Sequence, residues 1–190
     1  MQSHAIVWAA VLLAAPFWEA KKPAQWSEEE LASMMKDSPW AREAAGNPLF
    51  LASAAPMIEA EEQVRLRRAA KTGGDAAAGP DDWREYLASN RGRHIVVAVR
   101  IGDMNVLAEA EETRRMEKEC VLRSGKKRLR MAGHFPPTSS DPYLRLLFPR
   151  DLDPAAKTIK ASLYLPGVSM PFREVEFALK EMTYKGKLEY

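Results

Sequence analysis

The residues able to do chemistry are few and widely spaced. Of three histidines, His4 lies in an apolar leader, and His94 and His134 stand forty positions apart. A zinc centre needs three or four converging ligands, commonly with close-spaced pairs, and nothing here supplies such a pair. Cys120 is the single cysteine, so no internal disulfide forms. It closes a charged helical stretch and is read as a half-buried packing residue in preference to a catalytic thiol. Asp151-Leu152-Asp153 has a spacing found in cation loops but lacks the oxygen ligands and glycine that would follow, so it is read as a turn before Pro154. Glu109, Glu111 and Glu112 stand near Arg114 and Arg115, where helical i, i+3 or i+4 pairing accounts for them. Carboxylates working as an acid–base pair would need burial or a like-charged neighbour to split their pKa values. Gly73-Gly74 lacks the Gly-Lys-Ser/Thr ending of a phosphate loop. No catalytic residue, metal or cofactor is therefore assigned.

One stretch is chemically uneven. From Arg114 to Arg130 there are eight basic residues against Glu117 and Glu119, a local balance of +6 where the whole chain carries +2. Its distal part, Arg123, Lys126, Lys127, Arg128 and Arg130, is the candidate anion-binding surface. Such a surface attracts lipid headgroups, acidic polysaccharide or an acidic protein. Nucleic acid is not expected, because the stretch has no aromatic residue on which bases could stack. The plainer reading is a solvated helix end followed by a hairpin.

The elements that position these residues can be read in turn. Ala5 to Trp18 is an uncharged apolar run of fourteen residues, too short to span a membrane but suited to a signal-peptide core, with Trp18-Glu19-Ala20 as the cleavage region. Residues 1–20 are thus expected to be a signal peptide and 21–190 a single domain, periplasmic or secreted, with no transmembrane segment in the mature chain. The competing reading is a buried N-terminal helix in a cytoplasmic protein. Ser27 and Glu30 form a capping box, with Trp26 and Leu31 as its hydrophobic staple. That helix stops at Asp37-Ser38-Pro39, and Ser38-Pro39 is expected to cap a second helical turn carrying Trp40, Ala41 and Ala44. Leu49–Ala55 reads as a buried strand ending at Pro56, and residues 57–71 as a helix. A loop follows over Thr72–Gly79, and a short helix carries Trp83, Tyr86 and Leu87.

His94–Ile101 is β-branched almost throughout and reads as a central strand. Asp103-Met104-Asn105 is expected to cap a helix ending near Glu119. A hairpin follows around Ser124-Gly125-Lys126-Lys127. Strands are expected at Tyr143–Phe148, Thr158–Leu165 and Phe172–Leu179, with an edge strand over Tyr184–Tyr190. Alternating polarity implies sheets packed on one face. The fold class is α+β, short helices of the N-terminal half packing on a mainly antiparallel sheet from the C-terminal half.

Several segments, Trp26-Ser27-Glu28-Glu29-Glu30, Asp37-Ser38-Pro39-Trp40-Ala41, Ser53-Ala54-Ala55-Pro56, Phe148-Pro149-Arg150, Glu174-Val175-Glu176-Phe177 and Met182–Glu189, resemble a family of exported proteins from acidobacteria-like soil bacteria. The resemblance weakens over residues 60–90, and where the family pattern has a basic residue soon after Pro56 this chain has Met57-Ile58-Glu59. It implies export and a shared architecture and transfers no site. The expected function is an exported, non-catalytic binding or structural module of the cell envelope. The alternative is a secreted hydrolase whose active-site residues are dispersed in sequence. A cavity of roughly 300 Å³ or more with convergent polar groups would favour the enzyme, a shallow basic face the binder, and an exposed apolar patch a structural partner.

Overall fold

The computed structural model describes residues 15–44, 46–74, 81–101, 109–138, 141–168 and 170–190. Most of the apolar run, most of the 72–79 loop and the helix cap at 103–105 lie outside them. Five helices are present among the described residues: α1 (Phe17–Ala20), α2 (Glu28–Lys36), α3 (Ala55–Thr72), α4 (Asp82–Asn90) and α5 (Ala110–Glu119). The strands are β1 (Ala41–Ala44), β2 (Asn47–Leu51), β3 (His94–Arg100), β4 (Val121–Ser124), β5 (Lys127–Arg130), β6 (Gly133–Phe135), β7 (Tyr143–Pro149), β8 (Thr158–Tyr164), β9 (Phe172–Ala178), β10 (Thr183–Tyr184) and β11 (Lys187–Leu188). The architecture is α+β, with helices mostly N-terminal, strands mostly C-terminal, and every sheet pairing antiparallel.

The first sheet has the order β1-β2-β3-β7-β6, the second β5-β4-β8-β9, and β10-β11 is a hairpin of its own. Helix α2 starts as its sequence dictates. Ser27 Oγ accepts from Glu30 N–H at 3.0 Å and Glu30 Oε2 accepts from Ser27 N–H at 2.8 Å, while Trp26 and Leu31 are buried. In the first sheet, register assigns Ala41, Phe50, Ala98, Arg145 and Phe135 to one face and Leu49, Val99, Leu144 and Leu146 among others to the opposite face. Trp83 of α4 meets Phe135 on the first face at 6.2 Å between ring centroids. On the second, Arg42 lies 5.7 Å over the ring of Phe177 from the second sheet. The result is three layers, the N-terminal helices, the first sheet and the second sheet, with α5 set against β8 of the second sheet.

This layering corrects the expectation that each sheet is covered on one face only. Residues 95–99 of β3 and 144–148 of β7 are buried without alternation, because helices cover one side and the second sheet the other. In the second sheet β8 alternates over its first five positions, as a sheet packed on one face should.

Three further expectations change. No second helical turn follows Pro39. Trp40 carbonyl accepts from Leu51 N–H at 2.9 Å, and Ala41 pairs with Phe50 as β1, so an available partner strand overrides alanine's helix preference. Pro56 sits in the first turn of α3, where its missing N–H costs nothing, and β2 ends five residues earlier. The 184–190 segment joins neither large sheet. It folds back on 183–184 through Lys185 and Gly186, both at positive φ (50° and 73°), the combination a type I′ turn requires. The short edge strand β6 went unforeseen in the sequence.

The expected leader ends in structure. Phe17 packs against Trp26 and Trp18 against Trp40, with ring centroids at 5.6 and 5.9 Å. Removal of residues 1–20 would uncover those core rings. No described helix is long and apolar enough to cross a membrane.

Candidate functional site

The sequence-assigned cations divide into two groups. Residues β4 and β5 close on a two-residue turn, Gly125-Lys126, with Gly125 at φ 56°. A Cβ added at Gly125 would overlap the Asp153 carboxylate, so the glycine answers both a positive φ and a close approach. Asp153 accepts from Lys126 N–H and Ala155 N–H, each at 3.0 Å, and these bonds hold its carboxyl below the usual range. Lys127 is tied to Asp151 at 2.5 Å. The 151–155 segment therefore braces the turn, holding Lys126 by its backbone N–H and Lys127 by its side chain, while Lys126 itself stays exposed.

Arg123, Arg128 and Arg130 form the other group. Period two puts them on the face opposite buried Leu122 and Leu129, and all three are exposed. Arg123 stands directly opposite Arg128 on β5 and Lys160 on β8. Three cations thus occupy consecutive strands of one row. Glu176 ends the row and pairs with Lys160 at 3.1 Å. Arg123 donates to Ser162 Oγ at 3.3 Å. Because β5 is an edge strand, its charges also discourage pairing with another sheet.

The proximal part of the basic stretch behaves differently. On α5, Arg115 lies 4.4 Å over the Tyr164 ring and Glu112 accepts from the Tyr164 hydroxyl at 2.6 Å. These charges hold a tyrosine of β8 in place of the helical pairing expected. Cys120 is wholly buried, more so than foreseen, its sulfur between Tyr164 N–H and carbonyl. Burial pushes its thiol up to about 11. His94 Nδ1 lies 2.5 Å from the Tyr86 hydroxyl, and burial lowers its pKa. Among the described residues no three His, Cys, Asp or Glu are grouped to hold a metal ion.

The sequence did not reveal a cavity of about 410 Å³ beneath α3 and α4. Its floor is Arg145 of β7, whose side chain is 3% exposed. Arg145 donates to Asp141 through Nε at 2.7 Å and Nη2 at 3.1 Å, and to Glu61 through Nη2 at 2.7 Å and Nη1 at 3.2 Å. Its guanidinium also lies 4.4 Å over Trp83 and 5.5 Å over Tyr143. Burial raises the Glu61 carboxyl, the nearby Asp141 charge adds to this, and Arg145 opposes it. Burial works against the Arg145 charge, but the two carboxylates hold its pKa above the ordinary value. Glu61, Asp141 and Arg145 are separated by up to 84 positions, so no local spacing could have marked them. Burial within β7 of an arginine among Leu144, Leu146 and Leu147 was the available signal.

Exposed large apolar residues among those described are Leu66, Met170, Phe172 and Leu188. No family model matches the sequence, and no curated protein or solved structure is significantly similar to it.

Proposed function

We propose that the protein is an exported, non-catalytic binding module of the cell envelope that docks on anionic lipid surfaces through Arg123, Arg128 and Lys160, with Arg130 beside them. The observation that carries this reading is the register. Like charges directly opposite one another in a sheet are destabilising, yet Arg128, Arg123 and Lys160 stand in one row. An anionic surface would relieve that repulsion on contact. Export is supported by the apolar leader and by the resemblance to an exported family, and the packing of Phe17 and Trp18 on Trp26 and Trp40 calls for the leader's last residues to stay with the domain.

The hydrolase reading has its own supporting feature in the Glu61–Asp141–Arg145 cavity, which exceeds the size an active site needs. Both carboxylates are engaged by Arg145, and among the described residues the cavity lining contains no Ser, Thr, Cys, His or Lys. That lining suits holding a ligand better than attacking one.

The test is co-sedimentation with vesicles of phosphatidylglycerol and of phosphatidylcholine. Binding to the anionic vesicles alone, lost in the Arg123→Gln/Arg128→Gln/Arg130→Gln variant and in high salt, is the expected result. Equal binding by that variant would refute the surface. Retention on an acidic polysaccharide or acidic protein column without vesicle binding would keep the surface and change its partner.

A further inference from the structure

The cavity presents a charge arrangement its own residues do not satisfy. The α3 stripe Ile58, Glu61, Glu62, Arg65, Arg68 and the α4 stripe Arg84, Leu87, Ala88, Arg91 both line it. Each follows the three-and-four spacing that keeps side chains on one face of a helix. Five arginines line the cavity against four carboxylates. Arg145 answers Glu61 and Asp141, Arg65 answers Glu62 at 2.5 Å, and Asp81 accepts from Arg84 backbone N–H at the start of α4. Among the described residues Arg68, Arg84 and Arg91 form no ion pair within 4.0 Å. Among the described residues Arg65 Nε and Nη2 hold Glu62 while its buried Nη1 finds no hydrogen-bond partner. A buried donor left unmade carries a desolvation cost that an acceptor would remove.

The remaining wall is apolar, formed by Met35, Ile58, Val64 and Leu87. We infer that this cavity binds an amphipathic carboxylic acid, its carboxylate taken by the unpaired arginines Arg68, Arg84 and Arg91 beside the Arg65–Glu62 pair, and its hydrocarbon body lying against that wall. The planar guanidinium fork matches a carboxylate. The acid's head must point away from the floor, where Glu61 and Asp141 share one arginine and leave an excess of negative charge. Arg65 and Arg68 lie one and two turns beyond Glu61 on α3, which supplies that direction. At about 30 Å³ per liquid water the space equals roughly fourteen waters, room for a chain of eight to ten carbons.

This inference is independent of the basic row on the second sheet, and its test separates the two. The intact chain is titrated calorimetrically with sodium decanoate and, separately, with decyltrimethylammonium, below their micellar concentrations. Saturable one-to-one binding of decanoate is expected, with none of the cation. Arg68→Gln and Arg84→Gln should each weaken it tenfold or more, and Ala88→Trp should abolish it by filling the space. Arg68, Arg84 and Ala88 are exposed, so those variants keep their melting temperature. Vesicle binding should be unchanged in Ala88→Trp. No decanoate binding, equal binding of the cation, or full binding by Ala88→Trp would overturn the inference.

Discussion

Replacing Arg123 with glutamine should make the protein more stable at low salt, although it deletes a side chain that forms a hydrogen bond. Arg123 faces Arg128 on one side and Lys160 on the other. A like-charged cross-strand pair costs roughly 0.2–1 kcal/mol, and at an exposed, screened site the lower end applies, about 0.3–0.5 for each of two pairs. The arginine's bond to Ser162 is long, 3.3 Å, and glutamine can replace it in part, so about 0.3 kcal/mol is subtracted. The net gain is about 0.3–0.7 kcal/mol. A chain of this size shifts by roughly 2–4 °C per kcal/mol, giving an expected rise of about 1–3 °C. Thermal unfolding followed by circular dichroism in 20 mM and in 1 M sodium chloride measures it. The rise should appear in the first and vanish in the second, because the screening length falls to about 3 Å in 1 M salt. A lower melting temperature at 20 mM, or a difference indifferent to salt, would refute the argument that the row is held in repulsion.

Four other outcomes are expected. Arg145→Met should destabilise by about 3–5 kcal/mol by stranding Glu61 and Asp141, and adding Glu61→Gln and Asp141→Asn should recover much of it; denaturant titration reports both. Gly125→Ala should cost more than 1 kcal/mol, since it combines a positive φ with overlap on Asp153, again by denaturant titration. Cys120 should stay unmodified by an aromatic disulfide reagent at pH 8 and react on unfolding, given its burial and a pKa near 11. Asp153 binds its proton more weakly folded than unfolded, so the stability it lends is present above its ordinary value of 3.8 and lost as pH falls through the lower folded value; stability of wild type minus Asp153→Ala, followed from pH 6 to 2, should shrink toward the acid end.

What was legible in the chain was local. The capping box at Ser27 and Glu30, the β-branched run of β3 and the glycine turn at 125–126 each carry their cause within a few residues, and each has the expected structure. Trp40–Ala44 misled because alanine-rich segments favour helix until a partner strand offers hydrogen bonds, and β2 is that partner. Burial on both faces of β3 and β7 depends on a second sheet whose position no periodicity states. Charge was legible as composition: Arg123, Arg128 and Arg130 share a face because period two requires it. The same period puts Lys127 on the Leu129 side, where Asp151, twenty-four positions on, pairs with it. The Arg145 cavity is assembled from α2, α3, α4 and β7 and left no contiguous trace.

The hairpin at the carboxyl end has a consequence for how the molecule is made. Trp40 indole N–H donates to the Glu189 carbonyl at 2.8 Å, and Lys185 N–H donates to Glu19 at 2.9 Å. A polypeptide emerging from the ribosome cannot complete the shell around Trp40 until residue 189 has left the exit tunnel. Until that hairpin docks, the core beside Trp40 stays open, an interval in which the nascent chain can be captured or threaded.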